Sequence, residues 1–364
     1  MDVLFITRKW PPAVGGMETY SMKMAEGFQR AGTLRILALP GRRTGAPPSA
    51  PSVLAFGIGA AFRILFSRKD AEAVMGGDLA LWPLVWLAAL RHGKASRAIA
   101  VHGNDIAYAD RTKLTARLYA RYLDFAAVCL GRTQLIANSR ATAAKLSARG
   151  FRNIQVVTLA AETVAIEIAE QPEPYLLFVG RLKRQKGCNW FIENVLAHLP
   201  PHVTLKVAGS VPKDGEAPLP LDGRVEFLGP VHGADLARLR ARALAVIVPN
   251  IDTGADGFEG FGLTAPEAAL AGGVVLASDL HGIADAVIDG ETGFLVPPGD
   301  AVAWRAKVLR VMSWSPAERV EFVAAAKAKA ADVYNWDRVT EATLSILSGG
   351  ARFREPQAAA PASG

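Results

Sequence analysis

The sequence has few cysteines and no long apolar run. Its 364 residues include two cysteines, Cys129 and Cys188, and neither has a partner at a spacing typical of metal ligands or gives a reason to expect a disulfide. We therefore expect two reduced thiols. The longest apolar run, residues 79–90, is too short to span a bilayer and contains a proline. Residues 1–12 lack a signal-peptide pattern, so a cytoplasmic location is expected.

Several chemical motifs are absent as well. No Asp-x-Asp metal motif occurs in the chain, and no pattern suggests a Ser/His/Asp triad. The loop after the first predicted strand lacks the G-x-G-x-x-G fingerprint, so we infer no NAD. Any chemistry must therefore come from other residues.

Charge is unevenly distributed along the chain. The net charge is +7: Lys and Arg exceed Asp and Glu by 10 in residues 1–170 and fall 3 short in residues 171–364. A basic front half suggests an anionic partner, such as a membrane surface or a phosphorylated ligand. No nucleic acid partner is expected, because the basic residues are dispersed and no nucleic-acid motif is present. The length predicts two domains.

The stretch GFEGFGLTAPEAALAGG, residues 257–273, is the strongest local signal. Gly260 and Gly262 have no Cβ, so a ligand can approach the main chain there. Pro266 is tolerated in a first helical turn, so a helix should begin within residues 262–265. Its first N–H groups can bind phosphate or sugar oxygens. Glu259 and Glu267 can accept hydrogen bonds from hydroxyl groups.

A simpler interpretation of the same stretch remains open. Thr264 followed three residues later by Glu267 also fits a capping box, in which the glutamate only starts the helix. Glu259 would then be a solvated charge in a loop. The sequence of this stretch alone does not decide between the two interpretations.

Alternating strands and helices are predicted in the front half. Residues 2–7 read as a buried parallel strand, and Gly15 and Gly16 form a loop where phosphate or sugar can approach the next helix. His102 follows a predicted strand, at the edge where α/β sheets bind ligands; the alternative is a loop histidine that binds a backbone group. The other predicted elements are strands at 34–39, 98–101 and 135–137, helices at 17–31, 56–69, 79–90, 113–130 and 140–148, and a loop at 42–52.

One predicted helix, residues 113–130, mixes cations with aromatic side chains. Its cations Lys113, Arg117 and Arg121 lie among Tyr119, Tyr122 and Phe125. A membrane-facing or acceptor-facing surface and an ordinary solvated face are both compatible with this pattern.

The second half repeats the alternation after an acidic, proline-containing linker at 163–174. A strand at 175–180 leads into four cations within six residues, of which Arg181 and Lys186 are the first and last. Such a cluster at a strand end suits a polyanion such as a diphosphate, with surface solvation as the alternative. The other predicted elements are strands at 203–208, 225–228, 245–248, 274–277 and 294–296, and helices at 187–199, 232–242, 301–314, 316–333 and 336–347.

This alternation predicts an α/β fold of two doubly wound parallel-sheet domains with a cleft between them. The candidate residues all lie at strand–loop–helix junctions, so one cleft could collect them. The predicted boundaries are an N-terminal domain at 1–162, a linker at 163–174, a second domain at 175–335, a C-terminal helix at 336–348 and a disordered tail at 349–364.

The residues resemble a known family, the retaining, nucleotide-sugar-dependent glycosyltransferases of the GT-B fold, family-4 type. The resemblance covers nearly the whole chain to about residue 347. The shared marks are Gly15-Gly16-Met17-Glu18, the strand-end His102, the Gly180-Arg181 and Lys186-Gly187 pairs, the segment from Glu259 to Glu267, and the runs at 273–278 and 289–297.

The resemblance implies two Rossmann-like domains and a role for each matching residue. Arg181 and Lys186 would hold the diphosphate of a UDP- or GDP-linked donor, and Glu267 would bind its ribose. Glu259 would contact the transferred sugar. The other implied contacts are the N–H groups of Phe261, Gly262 and Leu263 to the sugar, Gly15 and Gly16 at the phosphates, and His102 near the sugar and acceptor.

The same resemblance implies transfer with retention of anomeric configuration, by front-face attack in which the leaving phosphate takes the acceptor's proton. Cations would replace a divalent ion, so metal independence and no cofactor are expected. The implied acceptor is a glycan or a lipid-linked molecule in cell-surface polysaccharide or lipopolysaccharide synthesis. The basic front half would allow peripheral contact with the inner face of an anionic membrane.

The chain also departs from the family pattern. Residues 158–162 replace a common Asn-Gly-Val-Asp turn, His281-Gly282 replaces a glycine pair, and Asp285 stands where glutamate is common. These departures concern the identity of the donor more than the reaction class. Two alternatives remain: a sugar-nucleotide epimerase of the same architecture and a non-catalytic nucleotide-sugar-binding protein.

Overall fold

The computed structural model describes residues 1–13, 15–42, 48–162, 164, 166–167, 169, 171–221 and 223–349. The chain divides into two compact units. The first unit is Met1–Thr158 together with the chain from Trp336 onward, and the second unit is Leu159–Asn335. Each unit contains its own parallel sheet.

The sheet of the first unit is parallel throughout. Its strands are β1 (Asp2–Trp10), β2 (Thr33–Pro40), β3 (Ala73–Gly76), β4 (Ser96–Val101), β5 (Gln134–Ala137) and β6 (Ile154–Val156). Across the sheet they follow the order β2-β1-β3-β4-β5-β6. The strand order reverses between β1 and β3, and ligands bind at such a switch point in doubly wound sheets.

The second unit repeats this arrangement. Its strands are β7 (Glu173–Val179), β8 (Thr204–Ala208), β9 (Val225–Gly229), β10 (Ala243–Val248), β11 (Val275–Ser278) and β12 (Phe294–Val296). Their order is β12-β11-β10-β7-β8-β9, again with parallel pairing. The switch point lies between β7 and β10, so the loops that follow these two strands flank it.

Helices cover both faces of each sheet. In chain order they are α1 (Gly16–Ala31), α2 (Ala50–Leu65), α3 (Trp82–Arg91), α4 (Asn104–Ala107), α5 (Leu114–Cys129), α6 (Arg140–Ala148), α7 (Cys188–Asn194), α8 (Gly233–Arg242), α9 (Thr264–Leu270), α10 (Ala301–Met312), α11 (Pro316–Val333) and α12 (Trp336–Leu347). Short 3-10 turns lie at Leu79–Leu81, Tyr108–Asp110, Arg184–Lys186, Leu196–His198, Gly254–Asp256 and His281–Asp285.

Alternating residues of each strand point to opposite sides of the sheet and bury two apolar layers. In β1, Leu4 and Ile6 join a core that includes residues of α2, α3 and α5. Phe5 faces the other side, where its ring packs edge-on against Phe28 of α1 with centroids 5.8 Å apart. In the second unit, the fully buried Trp304 of α10 belongs to the core on one face of the sheet.

The predicted α/β fold of two doubly wound, Rossmann-like domains is confirmed. The predicted helices at 316–333 and 336–347 and the strand at 294–296 have the observed bounds. The helix predicted at 56–69 is wrong in position, because α2 starts at Ala50, where Ser49 accepts a hydrogen bond from Ser52 N and caps the helix. The predicted loop at 42–52 therefore ends earlier, and residues 43–47 lie outside the described residues.

Other predictions differ from the structure in detail. The helix predicted at 187–199 ends at Asn194 and is followed by a separate 3-10 turn. Strands β3 and β6, of 4 and 3 residues, were not predicted. The structure divides the chain after Thr158 and returns it to the first unit at Trp336, whereas the predicted boundaries lie at 162 and 335. Part of the predicted linker at 163–174 lies outside the described residues. Almost all of the predicted tail at 349–364 lies outside them as well.

The apolar run at 79–90, which was predicted to be helical, forms a 3-10 turn followed by α3. In α3, Trp82 is buried while Trp86 is 38% exposed. Across the described part of the chain, every helix is too short or too polar to span a bilayer.

Gly27 allows α12 to pack closely on α1 in the first unit. A Cβ at Gly27 would lie 2.9 Å from the Cβ of Thr340 on α12, and this branched side chain has little freedom to move away. We expect Gly27→Ala to lower the free energy of unfolding by about 1–3 kcal/mol through overpacking. Urea unfolding followed by circular dichroism measures this change.

Gly57→Ala is the matched control, because Gly57 is also helical but a methyl group added there would meet no atom within 4 Å. Alanine there should stabilise the protein by roughly 0.5–1 kcal/mol, since it reduces the backbone entropy lost on folding. Equal effects of the two substitutions would contradict the close α1–α12 packing.

Candidate functional site

The carboxyl edge of the second sheet brings together the predicted residues of that unit. The loop after β7 carries Arg181 and Lys186, and the loop after β10 carries Glu259. These loops flank the switch point of the sheet, where doubly wound proteins bind ligands. The candidate site of the second unit therefore lies where the fold itself predicts one.

Lys186 and Glu259 form an ion pair across this edge. The Lys186 ammonium donates to Oε2 of Glu259, and the two side chains are 24% and 22% exposed. Asn250 also donates to the same oxygen through Nδ2, at 3.4 Å. An ammonium group has three N–H donors, so Lys186 can contact a further anion while it holds Glu259. Glu259 is therefore a positioned carboxylate rather than a solvated loop charge.

The backbone around Gly187 fixes the position of Lys186. Gly187 has φ of 71°, and a Cβ there would overlap the carbonyl oxygen of Pro249. Ile251 N donates to the carbonyl oxygen of Gln185 at 3.1 Å. The loops after β7 and β10 are thus fastened to each other through main-chain contacts, and only glycine fits at the point of closest approach.

The four clustered cations have different surroundings. Lys183 pairs with Asp214 at 2.7 Å, and this hydrogen bond holds the pKa of the Asp214 carboxyl below its usual value. Arg181 and Arg184 are exposed. Among the described residues no carboxylate lies within ion-pair distance of Arg181, although its charge also lowers the pKa of Asp214. Lys186 is the cation of the cluster that the structure joins to Glu259, while Arg181 remains available to an external anion.

The glycine loop before α9 is held by a second close contact between two backbone segments. Gly282 N donates to the carbonyl oxygen of Glu259 at 3.0 Å, and a Cβ on Gly282 would overlap Gly260. Gly262 has φ of 86° and packs against Ile283. Of the glycine pair that His281-Gly282 replaces, the chain therefore retains the second glycine, Gly282, at the point where the backbone contacts Gly260.

The backbone N–H groups of this loop point to a binding role. In the described part of the chain, no hydrogen bond uses the N–H of Phe261, Gly262 or Leu263 as its donor. The Phe261 side chain is buried, so its main chain is held in place. Three consecutive donors of this kind can bind the oxygen atoms of a ligand.

Glu267 is bound by a cation that the sequence did not indicate. Arg240 of α8 donates through Nη2 to Oε2 of Glu267 on α9. The Arg240 side chain is 6% exposed and that of Glu267 is 30% exposed. Helix α9 has Leu263 at its N-cap position without a side-chain cap, so the capping-box interpretation of Thr264 and Glu267 is wrong.

This ion pair orients the Glu267 carboxylate. A buried guanidinium requires a nearby anion, and Glu267 supplies it through one oxygen only. Within the described residues, Oε1 of Glu267 accepts no hydrogen bond. The free oxygen of a fixed carboxylate is a suitable acceptor for a ligand hydroxyl.

In the first unit, His102 directly follows β4 and is buried. Its Nε2 lies 3.0 Å from the carbonyl oxygen of Gly77, which can only accept, so Nε2 donates there. The ring packs edge-on against Tyr20 with centroids 4.7 Å apart. The alternative interpretation, a histidine that binds a backbone group, is therefore present in the structure, and a contact with a ligand stays a prediction.

Asp105 positions the backbone beside His102. Its Oδ1 accepts from His102 N at 3.0 Å, and its Oδ2 accepts from Leu79 N at 3.2 Å. Burial raises the pKa of the Asp105 carboxyl above its usual value. Nearby, Asp78 follows β3 and pairs with Arg8 at 2.9 Å. Sequence reasoning missed Asp78 because strand β3 itself was not predicted.

The glycine loop after β1 lies at the switch point of the first sheet. Gly16 is exposed and begins α1, and a Cβ on Gly15 would lie 2.6 Å from Oε2 of Glu18. Neighbouring Val14 lies outside the described residues. Contact of Gly15 and Gly16 with phosphates stays a prediction. Among the residues that the structure covers, no cluster of three His, Cys, Asp or Glu side chains could hold a metal ion.

Comparison with known proteins identifies the second unit. Residues 173–313 match the family described as Glycosyl transferases group 1. A curated relative, glycogen synthase of Mycobacterium tuberculosis, is 32% identical over 198 residues, which are 51% of this chain and 45% of the relative. The chain thus aligns with about half the length of the curated relatives it matches.

Solved structures extend the comparison to the whole fold. Sucrose-phosphate synthase from Thermosynechococcus elongatus has a TM-score of 0.71 at 18% identity, covering 96% of this chain and 99% of that one. Anabaena Alr3699/HepE, solved in complex with UDP, has a TM-score of 0.68 at 18% identity, covering 96% and 100%. At this level of identity the likeness establishes the fold alone. Residues 173–313 thus match the family described as Glycosyl transferases group 1, and the whole chain has the GT-B fold.

Proposed function

We propose that the protein transfers a sugar from a UDP- or GDP-linked donor to a glycan or lipid-linked acceptor, with retention of anomeric configuration. The observation that carries this proposal is the Lys186–Glu259 ion pair at the switch point of the second sheet. It places a phosphate-binding cation beside a carboxylate that can accept hydrogen bonds from sugar hydroxyls. The solved complexes of Anabaena HepE with UDP and UDP-glucose support the choice of donor class.

Each part of the donor has a matching group in the second unit. Lys186 and the exposed Arg181 bind the diphosphate and stabilise it as it leaves. Glu259 and the N–H groups of residues 261–263 bind the transferred sugar. Glu267, held by Arg240, accepts hydrogen bonds from the ribose hydroxyls. Such a site acts by positioning and charge stabilisation, which suits front-face attack with the leaving phosphate as the proton acceptor.

Two cations beside the leaving group also support a reaction without a divalent ion or a cofactor. Arg181 and Lys186 supply the positive charge that a metal supplies in other phosphate sites. We expect chelation of divalent ions by EDTA to leave the initial rate of nucleotide release unchanged. A loss of rate that added Mg²⁺ or Mn²⁺ restores would contradict metal independence.

We assign the acceptor to the first unit, where His102 follows β4. Gly15 and Gly16, in the loop after β1, would lie beside the donor phosphates. A lipid-linked or lipopolysaccharide-type acceptor fits the excess of 10 positive charges in residues 1–170, which favours peripheral contact with an anionic membrane. We propose that the protein acts in cell-surface polysaccharide synthesis at the cytoplasmic face. An epimerase or a binding protein remains the alternative. Donor turnover separates a transferase from a binding protein, and attachment of the sugar to an acceptor separates it from an epimerase.

Lys186→Ala tests the diphosphate site. A nucleotide present at a hundred times its dissociation constant stabilises a protein by about 2.7 kcal/mol. We expect UDP or GDP to raise the melting temperature of the wild type, and Lys186→Ala to lose most of this increase. Differential scanning fluorimetry with UDP, GDP and ADP measures it.

Lys183→Ala is the matched control, because Lys183 belongs to the same loop but pairs with Asp214. Its nucleotide response should stay close to that of the wild type. A full response in Lys186→Ala, or no response of the wild type to any of the three nucleotides, would speak against the proposed donor site.

Arg240→Met tests whether Arg240 positions Glu267. The wild type should bind the preferred nucleoside diphosphate about tenfold more tightly than its 2′,3′-dideoxy analogue, since the analogue lacks the hydroxyls that Glu267 binds. In Arg240→Met this preference should shrink, whereas Arg240→Lys should retain part of it. Isothermal titration calorimetry gives both affinities for each variant.

Arg242→Met serves as the control, because Arg242 lies on the same helix but pairs with Glu173 at the surface. The variant Glu267→Gln separates the possible outcomes. If Glu267→Gln removes the ribose preference but Arg240→Met does not, the positioning role of Arg240 is wrong. If neither variant changes the preference, Glu267 does not bind the ribose.

A further inference from the structure

Helix α2 is apolar around most of its circumference and yet exposed. Its 16 residues include one charged side chain, Arg63, and only Ala60 and Ile64 are buried. A helix without a polar face is normally buried on all sides. Its exposed large side chains are Leu54 at 66%, Ile58 at 53%, Phe62 at 60% and Leu65 at 48%, followed by Phe66 at 74%.

Other features of α2 also indicate a missing partner. The exposed rings of Phe62 and Phe66 stack on each other with centroids 5.8 Å apart. Gly57 and Gly59 lie within the helix, and a methyl group at either position would meet no atom within 4 Å. Glycine lowers the stability of a helix, and no close packing of the described residues against Gly57 or Gly59 offsets this cost.

The neighbouring helices extend this surface. α2 packs beside α3, whose Trp86 and Leu90 are 38% and 59% exposed. Trp82 of α3 contacts Phe125 of α5 with ring centroids 5.7 Å apart, so the three helices form one layer. We call the outward side of this layer the apolar face: Leu54, Ile58, Phe62, Leu65, Phe66, Trp86, Leu90, Leu114, Leu118, Phe125 and Val128, each exposed.

The aromatic residues of α5 divide between the interior and this face. The hydroxyl of Tyr119 donates to the carbonyl oxygen of Asp105 at 2.8 Å, and that of Tyr122 donates to Ala80 O at 2.7 Å. Phe125 is 62% exposed and lies outside with the cations Arg117 and Arg121. The ordinary solvated face, one of the two interpretations of this helix, does not account for four exposed apolar side chains on one helix.

The charges beside the apolar face are mostly positive. Residues 48–69 contain Arg63, Arg68 and Lys69 and no acidic residue, and α5 adds Arg117 and Arg121. The nearest acidic groups, Asp70 and Asp124, are paired with Arg91 at 3.2 Å and Arg149 at 3.1 Å. A second copy of the chain would bring like charges together, whereas an anionic surface complements them.

We propose that the apolar face is a membrane-docking surface, which inserts α2 side chains among the acyl chains of an anionic bilayer while the neighbouring cations contact lipid phosphates. An exposed apolar helix face flanked by Lys and Arg has the composition of an interfacial helix. The proposal specifies the surface for the membrane contact proposed above. It does not depend on the transfer reaction, so vesicle binding tests it even if the proposed donor is wrong.

Flotation of the full chain with lipid vesicles tests the proposal. The wild type should float with vesicles of phosphatidylcholine and phosphatidylglycerol at low salt, and much less with phosphatidylcholine alone. Phe62→Glu should weaken binding to the mixed vesicles by about tenfold, because a carboxylate replaces an inserted ring. The double variant Arg117→Gln/Arg121→Gln should reduce binding and its dependence on salt.

Leu309→Glu is the matched control, since Leu309 is 45% exposed on α10, a helix of the second unit that is not part of the apolar face. It should bind vesicles like the wild type. Because Phe62 is 60% exposed, its substitution should leave the melting temperature unchanged, and this is measured in parallel.

Two kinds of result would overturn the proposal. One is a wild type that fails to float with anionic vesicles at low salt, or a Phe62→Glu variant that floats as well as the wild type. The other is a wild type that is dimeric in light scattering and becomes monomeric on Phe62→Glu, which would make the apolar face an interface between two copies of this chain.

Discussion

The ion pair between Lys186 and Glu259 is the contact on which the site of the second unit depends. Neither charge is fully solvated, so each needs the other to offset its desolvation. The pair joins the loops after β7 and β10, which the sheet order places on both sides of its switch point. Gly187 allows those two loops to meet backbone to backbone, and Gly282, in the loop after β11, allows the same close approach to Gly260 in the loop after β10. A side chain at either position would overlap the neighbouring carbonyl. Main-chain packing therefore sets the position of the two charges.

The same arrangement recurs at Glu267, which Arg240 holds through one carboxylate oxygen. Both glutamates of the segment from Glu259 to Glu267 are thus paired with a cation from another element. A carboxylate held in this way loses little conformational freedom when a ligand hydroxyl binds, and a fixed cation needs no reorganisation to meet a phosphate. The site accordingly suits a ligand that carries both hydroxyl and phosphate groups. In the proposed reaction the site would act by positioning and charge stabilisation rather than through a base and a nucleophile, which agrees with the absence of a triad pattern in the sequence.

Features that depend on residues close together in the sequence could be predicted from it. The alternation of strand and helix patterns predicted the two sheets. The glycines before α9 and the cations after β7 were placed in strand–loop–helix junctions by the strand and helix patterns that flank them, although two interpretations of each remained open. Arg240 could not be found, because it lies 27 residues from Glu267 and nothing in its own helix distinguishes it from Arg238 or Arg242. The start of α2 was missed although Ser49 and Pro51 are helix-start signals, because they lie in a Pro/Gly/Ala-rich segment. Strand β3 was missed because only Val74 of its residues Ala-Val-Met-Gly is a strong β-former.

A crystal structure of the protein with its preferred nucleoside diphosphate tests the central claim most directly. The claim is that two cation-held glutamates at one sheet edge form a preorganised donor site. We predict that a β-phosphate oxygen lies within hydrogen-bond distance of the Lys186 Nζ, that the ribose hydroxyls contact Glu267, and that the Arg240–Glu267 pair is unchanged. A nucleotide bound away from the loops after β7 and β10, or one whose ribose does not reach Glu267, would contradict the account.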